Sequence, residues 1–128
     1  MSQDHTKERQ YQIMLEYRQK RGLETLGLMT SQAWHDDPKR LAFTLSRYKF
    51  VAKMLSGAGH VLEVGCADAF GTRIVVQEVK QLTATDFDPL FVEDTNARMS
   101  DRWKFTCKTH DMLKGPFPGQ FDGIYALD

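Results

Sequence analysis

The stretch VLEVGCADAFGTRIV, residues 61–75, constrains the fold more than any other part of the sequence. A short β-branched run leads into Gly65, small residues follow, and a helical pattern begins at Gly71. A strand, a slim turn and a helix in this order make up the first part of a βαβ unit. The stretch therefore predicts a parallel α/β sheet whose first turn has the character of a nucleotide-cofactor loop.

Strands and helices alternate from residue 60 onward. The sequence predicts strands at HVLEVG, QLTATD, WKFTCKTHD and FDGIYALD, and helices at GTRIVVQEV and DFDPLFVEDTNARM. Asp88 suits the cap of the second of these helices, and Pro89 suits its first position. We expect an α/β, Rossmann-like parallel sheet of about four strands, in a cofactor-binding domain that spans residues 58–128.

Helices are predicted before the sheet, in a segment that spans residues 1–57. Residues 7–21 predict an amphipathic helix, whereas residues 22–35 contain Gly, Thr and Ser and predict a connection. The strongest helical pattern begins after Asp37, which suits the N-cap, and Pro38, which suits the first position. Apolar residues recur there at steps of four and three, so this helix should bury a continuous stripe.

The composition of the chain argues against several classes of function. The chain has 128 residues, with 17 basic and 17 acidic side chains, so no bulk positive charge draws it to nucleic acid or to a membrane surface. No apolar run approaches the ~20 residues of a membrane span, and the polar N-terminus is unlike a signal peptide. The 2 cysteines and 4 scattered histidines predict neither a disulfide framework nor a metal site. We expect a cytoplasmic protein.

The loop after the first predicted strand is a poor match to a dinucleotide-binding turn. That turn needs G-x-G-x-x-G, whereas the sequence offers Gly65, Ala67 and Phe70. A bulky third residue would block the close packing of helix on strand. The pattern acidic-x-Gly-x-small-x-small, from Glu63 to Ala69, fits better. A carboxylate just before the turn suits a ligand with a cationic head.

Acidic residues at two later strand ends extend the candidate site. Asp86 ends the second predicted strand, where its ionised oxygens could accept both hydroxyls of a ribose. The alternative is that Asp86 only caps a loop, but Asp88 already supplies the helix cap. Asp111 and Met112 follow the third strand, and they offer an acceptor for an adenine amino group and an apolar neighbour for its ring.

The runs VLEVGCADAFG, ATDFDP, HDML and FDGIYALD, in this order and spacing, resemble the class I, Rossmann-like S-adenosylmethionine-dependent methyltransferases. The resemblance covers residues 60–128 and implies S-adenosyl-L-methionine as the cofactor. It also implies a set of binding residues: Glu63, Gly65, Cys66, Ala67, Asp86, Phe87, Asp111 and Met112. The loop from Glu63 to Ala69 would border the methionine part, Asp86 would hold the ribose hydroxyls, and Asp111 and Met112 would flank adenine.

Ala67 departs from the family pattern, which usually has glycine there, and an alanine is comfortable only at negative φ. Arg47, on the helix before the first strand, could reach the cofactor carboxylate. The alternative for Arg47 is a surface position beside a buried Tyr48. By the family pattern, residues 126–128 would lie near the reacting methyl group. No catalytic base is assigned, and Asp128 is not given that role.

The family sheet has seven strands, whereas this chain predicts four. The last predicted strand is apolar on both faces, which suits an interior strand and not an edge. We therefore expect a fragment, or a chain that completes its sheet by self-association, without methyl transfer of its own. The methyl acceptor is not predicted. Two other classes stay open: a non-catalytic nucleotide- or partner-binding module on the same half-fold and, on weaker grounds, an NAD(P)-dependent oxidoreductase.

Overall fold

The structure is a computed structural model that describes residues 4–127. Three α-helices come first: Gln12–Arg21 (α1), Leu28–Asp36 (α2) and Pro38–Met54 (α3). Strands and helices then alternate: His60–Val64 (β1), Thr72–Val76 (α4), Gln81–Asp86 (β2), Pro89–Ala97 (α5), Thr106–Thr109 (β3) and Gly123–Tyr125 (β4). Short 3-10 helices lie at Arg9–Tyr11 and Met112–Lys114.

The four strands form one parallel sheet in the order β3-β2-β1-β4. The two central strands are nearly continuously buried, as expected when both faces of a parallel sheet are covered. The two outer strands are shorter and more exposed. The parallel α/β fold expected from the alternating pattern is therefore confirmed.

The order of the strands determines where a ligand can bind. The chain proceeds from β1 to β2 to β3 on one side of the sheet, and then returns to place β4 on the other side of β1. The connections after β1 and β4 therefore diverge, and they leave a crevice outside the carboxyl ends of the strands. In open α/β sheets, ligands bind at such a point of reversal. The carboxyl ends of β1, β2, β3 and β4 are thus the place to look for a site.

The core lies between the sheet and the helices packed on it. Helix α3 buries Tyr48, Val51 and Ala52, in line with the stripe predicted from its sequence. Its packing against α4 is close, because a Cβ placed on Gly71 would lie under 3.0 Å from ring atoms of Tyr48. Only a residue without a side chain fits at that point. Val61 and Ala84, on the central strands, have no exposed surface.

Helix α2 is a structural feature that the sequence pattern did not predict, and the expected connection over residues 22–35 is wrong from Leu28 onward. Two distant carboxylates bond to N–H groups in the first turn of α2. The Leu28 N–H donates to Asp94 Oδ2 at 3.1 Å, and the Thr30 N–H donates to Asp68 Oδ2 at 2.8 Å. The capping groups lie far away in sequence, so no local signal marks the start of the helix.

Helix α1 differs from the other α-helices, because none of its residues is buried. On the apolar side predicted for residues 7–21, Tyr11 and Met14 are 46% and 64% exposed and Leu15 is half-buried, so most of that side faces solvent. Among residues 4–127, no helix combines the length and the apolar character needed to cross a membrane.

Strand β4 pairs with β1 alone within residues 4–127, so it lies at an edge of the described sheet. Its Tyr125 is buried, whereas Ile124 is 63% exposed. The expected self-association through this strand stays a prediction. Asp128, the last residue of the predicted strand, lies outside the described residues.

Candidate functional site

Backbone hydrogen bonds bring the loops after β1, β2 and β3 together at the carboxyl edge of the sheet. The N–H groups of Gly65 and Cys66 both donate to the carbonyl of Thr85, at 2.8 and 2.9 Å. The N–H of His110 donates to the carbonyl of Asp86 at 2.9 Å. The predicted residues of the first loop therefore meet Asp86 and Phe87, and Asp111 follows directly beside them.

Asp86 is the carboxylate at the centre of this edge. It is 7% exposed, and its partners are backbone groups: Oδ2 accepts from the Ala67 N–H at 2.8 Å, and Oδ1 accepts from the Asp88 N–H at 3.0 Å. An ionised carboxylate has about four acceptor positions, so these two bonds leave capacity for further donors. Asp86 thus both holds the first loop and can receive hydroxyl groups.

The first loop has an unusual backbone. Gly65, Ala67 and Ala69 all have positive φ, at 74°, 49° and 54°. The two alanines therefore adopt the left-handed conformation that glycine would take, and not the negative φ at which alanine is comfortable. Each such alanine costs about 1–2 kcal/mol. A Cβ built on Gly65 would meet no atom within 4 Å, so open space lies next to this residue.

Glu63 lies beneath the loop and not in it. The side chain is 1% exposed, and three hydroxyl groups donate to it: Tyr48 at 2.6 Å, Thr72 at 2.5 Å and Tyr125 at 2.8 Å. Burial raises the pKa of Glu63, and the three hydroxyl bonds oppose that effect. The donors belong to α3, α4 and β4, so Glu63 joins these elements to β1. Its carboxylate is engaged by protein groups and is not presented to the loop.

Cys66 is buried in the loop, with its Sγ 4.0 Å from the Sγ of Cys107 on β3. The hydrogen bond with Cys107 and burial raise the pKa of the Cys66 thiol, so this thiol stays protonated near neutral pH. A protonated, buried thiol is a weak nucleophile. Cys66 therefore acts as a small packing residue that anchors the loop on the sheet.

The other predicted residues of the cleft are more exposed. Phe87 is 73% exposed and Met112 is 41% exposed, so residues 4–127 leave two large apolar side chains at this edge largely or partly uncovered. Asp111 Oδ1 accepts from the Leu113 N–H at 2.9 Å and caps the short helix that follows β3. Its other carboxylate oxygen, Oδ2, forms no hydrogen bond within residues 4–127.

Arg47 lies on the exposed side of α3, and its guanidinium donates to the backbone carbonyl of Leu127, just after β4. This contact places it at the β4 end of the carboxyl edge, where it lines a cavity of about 220 Å³. A cavity of about 450 Å³ lies elsewhere, among residues that include Phe70, Arg98 and Trp103. Of the predicted loop from Glu63 to Ala69, Ala69 lines this 450 Å³ cavity, but the predicted binding residues Glu63, Gly65, Cys66, Ala67, Asp86, Phe87, Asp111, Met112 and Arg47 do not. We therefore place the candidate site at the strand ends.

Asp68 is a residue of the loop that the sequence analysis missed. Its Oδ1 accepts from the Phe70 N–H at 3.2 Å, its Oδ2 accepts from Thr30, and its carbonyl accepts from Arg98 at 2.6 Å. Asp68 thus fixes the loop to α2 and to the end of α5. The Asp-x-Phe spacing is a local signal for the first of these bonds, but no sequence signal points to the other two.

No protein-family profile matches the chain, and no curated protein matches it in sequence. Several solved structures resemble it. The N-methyltransferase NodS from Bradyrhizobium japonicum WM9, in complex with S-adenosylhomocysteine, is 23% identical, with a TM-score of 0.55 over 74% of this chain and 54% of NodS. The magnesium protoporphyrin IX methyltransferase ChlM from Synechocystis PCC 6803, with bound S-adenosylhomocysteine, is 15% identical, with a TM-score of 0.58 over 94% of this chain and 56% of ChlM.

A dimethyladenosine transferase from Plasmodium falciparum is 24% identical, with a TM-score of 0.52 over 66% of this chain and 31% of that enzyme. The chain thus spans between about a third and just over half of the length of these three proteins. What they share with it is the fold, the arrangement of the parallel sheet and its helices.

Proposed function

We propose that this chain binds S-adenosylmethionine at the carboxyl edge of its sheet. The proposal starts from its fold, which is the Rossmann-like fold of the class I S-adenosylmethionine-dependent methyltransferases. We further propose that it forms the cofactor-binding portion of a methyltransferase. The observation that carries the proposal is the bond from the Ala67 N–H to Asp86, which joins a glycine-type loop to an acidic residue at the next strand end.

The residues present fit such a cofactor. Asp86 has acceptor capacity left for the two ribose hydroxyls, and charge-assisted bonds of this kind are strong. Open space beside Gly65 admits a ligand to the backbone of the loop. Phe87 and Met112 offer apolar surface to an adenine ring, and Asp111 offers an acceptor to its amino group.

The roles of the remaining residues follow from their contacts. The backbone around Gly65, Cys66 and Ala67 would border the methionine part of the cofactor, and the Arg47 guanidinium would pair with its carboxylate. Glu63 contributes by holding β1 against α3, α4 and β4. In this proposal it is a positioning residue and does not touch the ligand.

The bound cofactor supplies an electrophilic methyl group on a cationic sulfur. The chain itself has to orient its partners in line and keep water away from them. Among the described residues, those after β4 are the best placed to orient these partners, since Leu127 lies at the same edge as Arg47. We assign no catalytic base. A cytoplasmic location is part of the proposal.

Calorimetry with S-adenosylhomocysteine, S-adenosylmethionine and NADH tests the choice of cofactor. We expect the two sulfur compounds to bind more tightly than NADH, because Phe70 stands where a dinucleotide turn needs glycine. Tighter binding of NADH would overturn the proposal.

A further inference from the structure

A groove lies between α2 and α3, beside the carboxyl end of β4. Its volume is about 220 Å³, and its apolar walls come from both helices, with Met29 and Ala33 on α2 and Leu41 and Phe43 on α3. Leu127 also lines it. Pockets for drug-sized ligands measure about 300–1,000 Å³, so a volume of this size suits a body of about one ring.

Two arginines line this groove, and none of the acidic residues among residues 4–127 does. Arg40 and Arg47 are seven residues apart on α3, so they lie on one side of the helix, about 10 Å apart along its axis. Arg47 donates to the carbonyl of Leu127, which carries no net charge. The side chain of Arg40 forms no hydrogen bond or ion pair with any of residues 4–127. The groove therefore offers one free cationic group beside an apolar surface.

We propose that this groove binds the methyl acceptor, and that the acceptor is a small apolar carboxylic acid whose carboxylate pairs with Arg40. The inference rests on the proposed function, because the groove adjoins the strand end where the cofactor would bind. Arg47 would be taken by the cofactor carboxylate, which leaves Arg40 for a second anion. A planar guanidinium is suited to this role, since it binds a carboxylate through two parallel hydrogen bonds.

Both the charge and the apolar wall are needed to choose this class of acceptor. A hydrophilic anion would leave Met29, Leu41 and Phe43 facing a polar ligand, and Phe43 is already 66% exposed. A neutral apolar molecule would gain nothing from the Arg40 guanidinium, which is exposed to solvent. An aromatic or aliphatic carboxylate can pair with Arg40 through its carboxylate and cover the apolar wall with the rest of the molecule.

The test compares two probes of nearly the same shape, phenylacetate and phenylacetamide, which differ in charge. Each is titrated into the chain labelled with ¹⁵N and saturated with S-adenosylhomocysteine, and NMR follows the Arg40 Nε–Hε signal and the Met29 and Ala33 amides. We expect phenylacetate to shift these signals and to bind about fivefold more tightly than the amide, which is the scale of a partly exposed ion pair. Arg40→Gln should abolish that preference.

Lys39→Gln is the matched control, because Lys39 precedes Arg40 on the same helix but does not line the groove. It should leave the preference for phenylacetate unchanged. If S-adenosylhomocysteine still binds, equal affinities for the two probes would overturn the inference. So would an equal loss of the preference for phenylacetate in Arg40→Gln and Lys39→Gln. If the folded chain does not bind S-adenosylhomocysteine, the proposed function is wrong, and the acceptor role is wrong with it.

Discussion

Glu63 and Asp86 are both buried carboxylates near the ends of neighbouring parallel strands, but they have different kinds of partner. Glu63 accepts from three side-chain hydroxyls that belong to three other elements. Asp86 accepts from two backbone N–H groups in the loops at the edge of the sheet. The first carboxylate is enclosed by the fold, whereas the second organises the surface to which a ligand would come.

The comparison shows why strand-end acids cannot be assigned by spacing alone. The two lie on neighbouring strands, and β1 and β2 pair in register from His60 with Gln81 to Val64 with Thr85. What separates them is where the donors come from. Side-chain donors from distant elements make Glu63 a structural junction, and backbone donors from adjacent loops leave Asp86 acceptor capacity for a ligand.

The largest effect should come from Glu63→Ala. Removing the carboxylate would leave the hydroxyls of Tyr48, Thr72 and Tyr125 buried without an acceptor, and each such group costs about 1–3 kcal/mol. We expect the free energy of unfolding in urea to fall by at least about 3 kcal/mol. Glu93→Ala, at an exposed position on α5, should change it by about 0.5 kcal/mol or less. Similar losses in the two variants would contradict the structural role of Glu63.

Asp86→Ala should weaken binding more than folding. We expect the affinity for S-adenosylhomocysteine to fall by about 1.5–3 kcal/mol, the range for hydrogen bonds to a charged group, as measured by calorimetry. Asp88→Ala is the contrast, because Asp88 caps α5 through the Leu90 N–H and should lower stability with little change in binding. Unchanged affinity per folded Asp86→Ala molecule would make Asp86 structural, like Glu63.

The stability of the chain should also depend on pH through Glu63. Burial raises the pKa of Glu63 above its ordinary value of 4.5, so the native state holds the proton more tightly than the unfolded state. Its contribution is fully present below pH 4.5 and is lost as the pH rises through the native pKa. Over that interval the free energy of unfolding should fall by up to about 1.4 kcal/mol per pH unit.

Glu63→Gln cannot titrate, so the difference between the wild type and this variant, measured by urea unfolding at several pH values, isolates the effect. A difference that does not vary with pH would show that Glu63 has the same pKa in both states.

The smallest effects are expected in the loop that joins the two carboxylates. Ala67→Gly should raise the free energy of unfolding by about 0.5–1 kcal/mol, because glycine adopts positive φ without the steric cost of alanine. Ala69→Gly should raise it by less, because the methyl group of Ala69 is buried in the core and its packing is lost. Ala42→Gly, in the middle of α3, should lower it by about 1 kcal/mol. Thermal or urea unfolding of the three variants shows whether each substitution raises or lowers the free energy of unfolding. Destabilisation by all three would contradict the backbone geometry of the loop.

Much of the fold follows from local signals in the sequence. The alternating strands and helices predicted the parallel sheet, and the cap and proline at Asp88 and Pro89 predicted the start of α5. Helix α2 could not be predicted in this way. The carboxylates that bond to its first turn belong to Asp94 and Asp68, and only the folded chain brings them to Leu28 and Thr30.

In the candidate site, too, some features follow from local sequence and others do not. Local pattern predicted the turn at Gly65 and the positions of Asp86 and Asp111 at strand ends. It could not reveal that Glu63 would be enclosed, because its three donors lie on elements up to 62 residues away. Nor could it predict the positive φ of Ala67 and Ala69, since the alanine side chain disfavours that conformation and the surrounding contacts impose it.

The contact between Gly71 and Tyr48 has a consequence for how the sequence can vary among relatives. A side chain at position 71 would collide with the phenol ring, so a larger residue there requires a smaller one at position 48. The smaller residue would in turn remove one of the hydroxyls that bond to Glu63. Positions 48, 63 and 71 should therefore change together across evolution. The residues at any two of these positions should therefore help to predict the residue at the third.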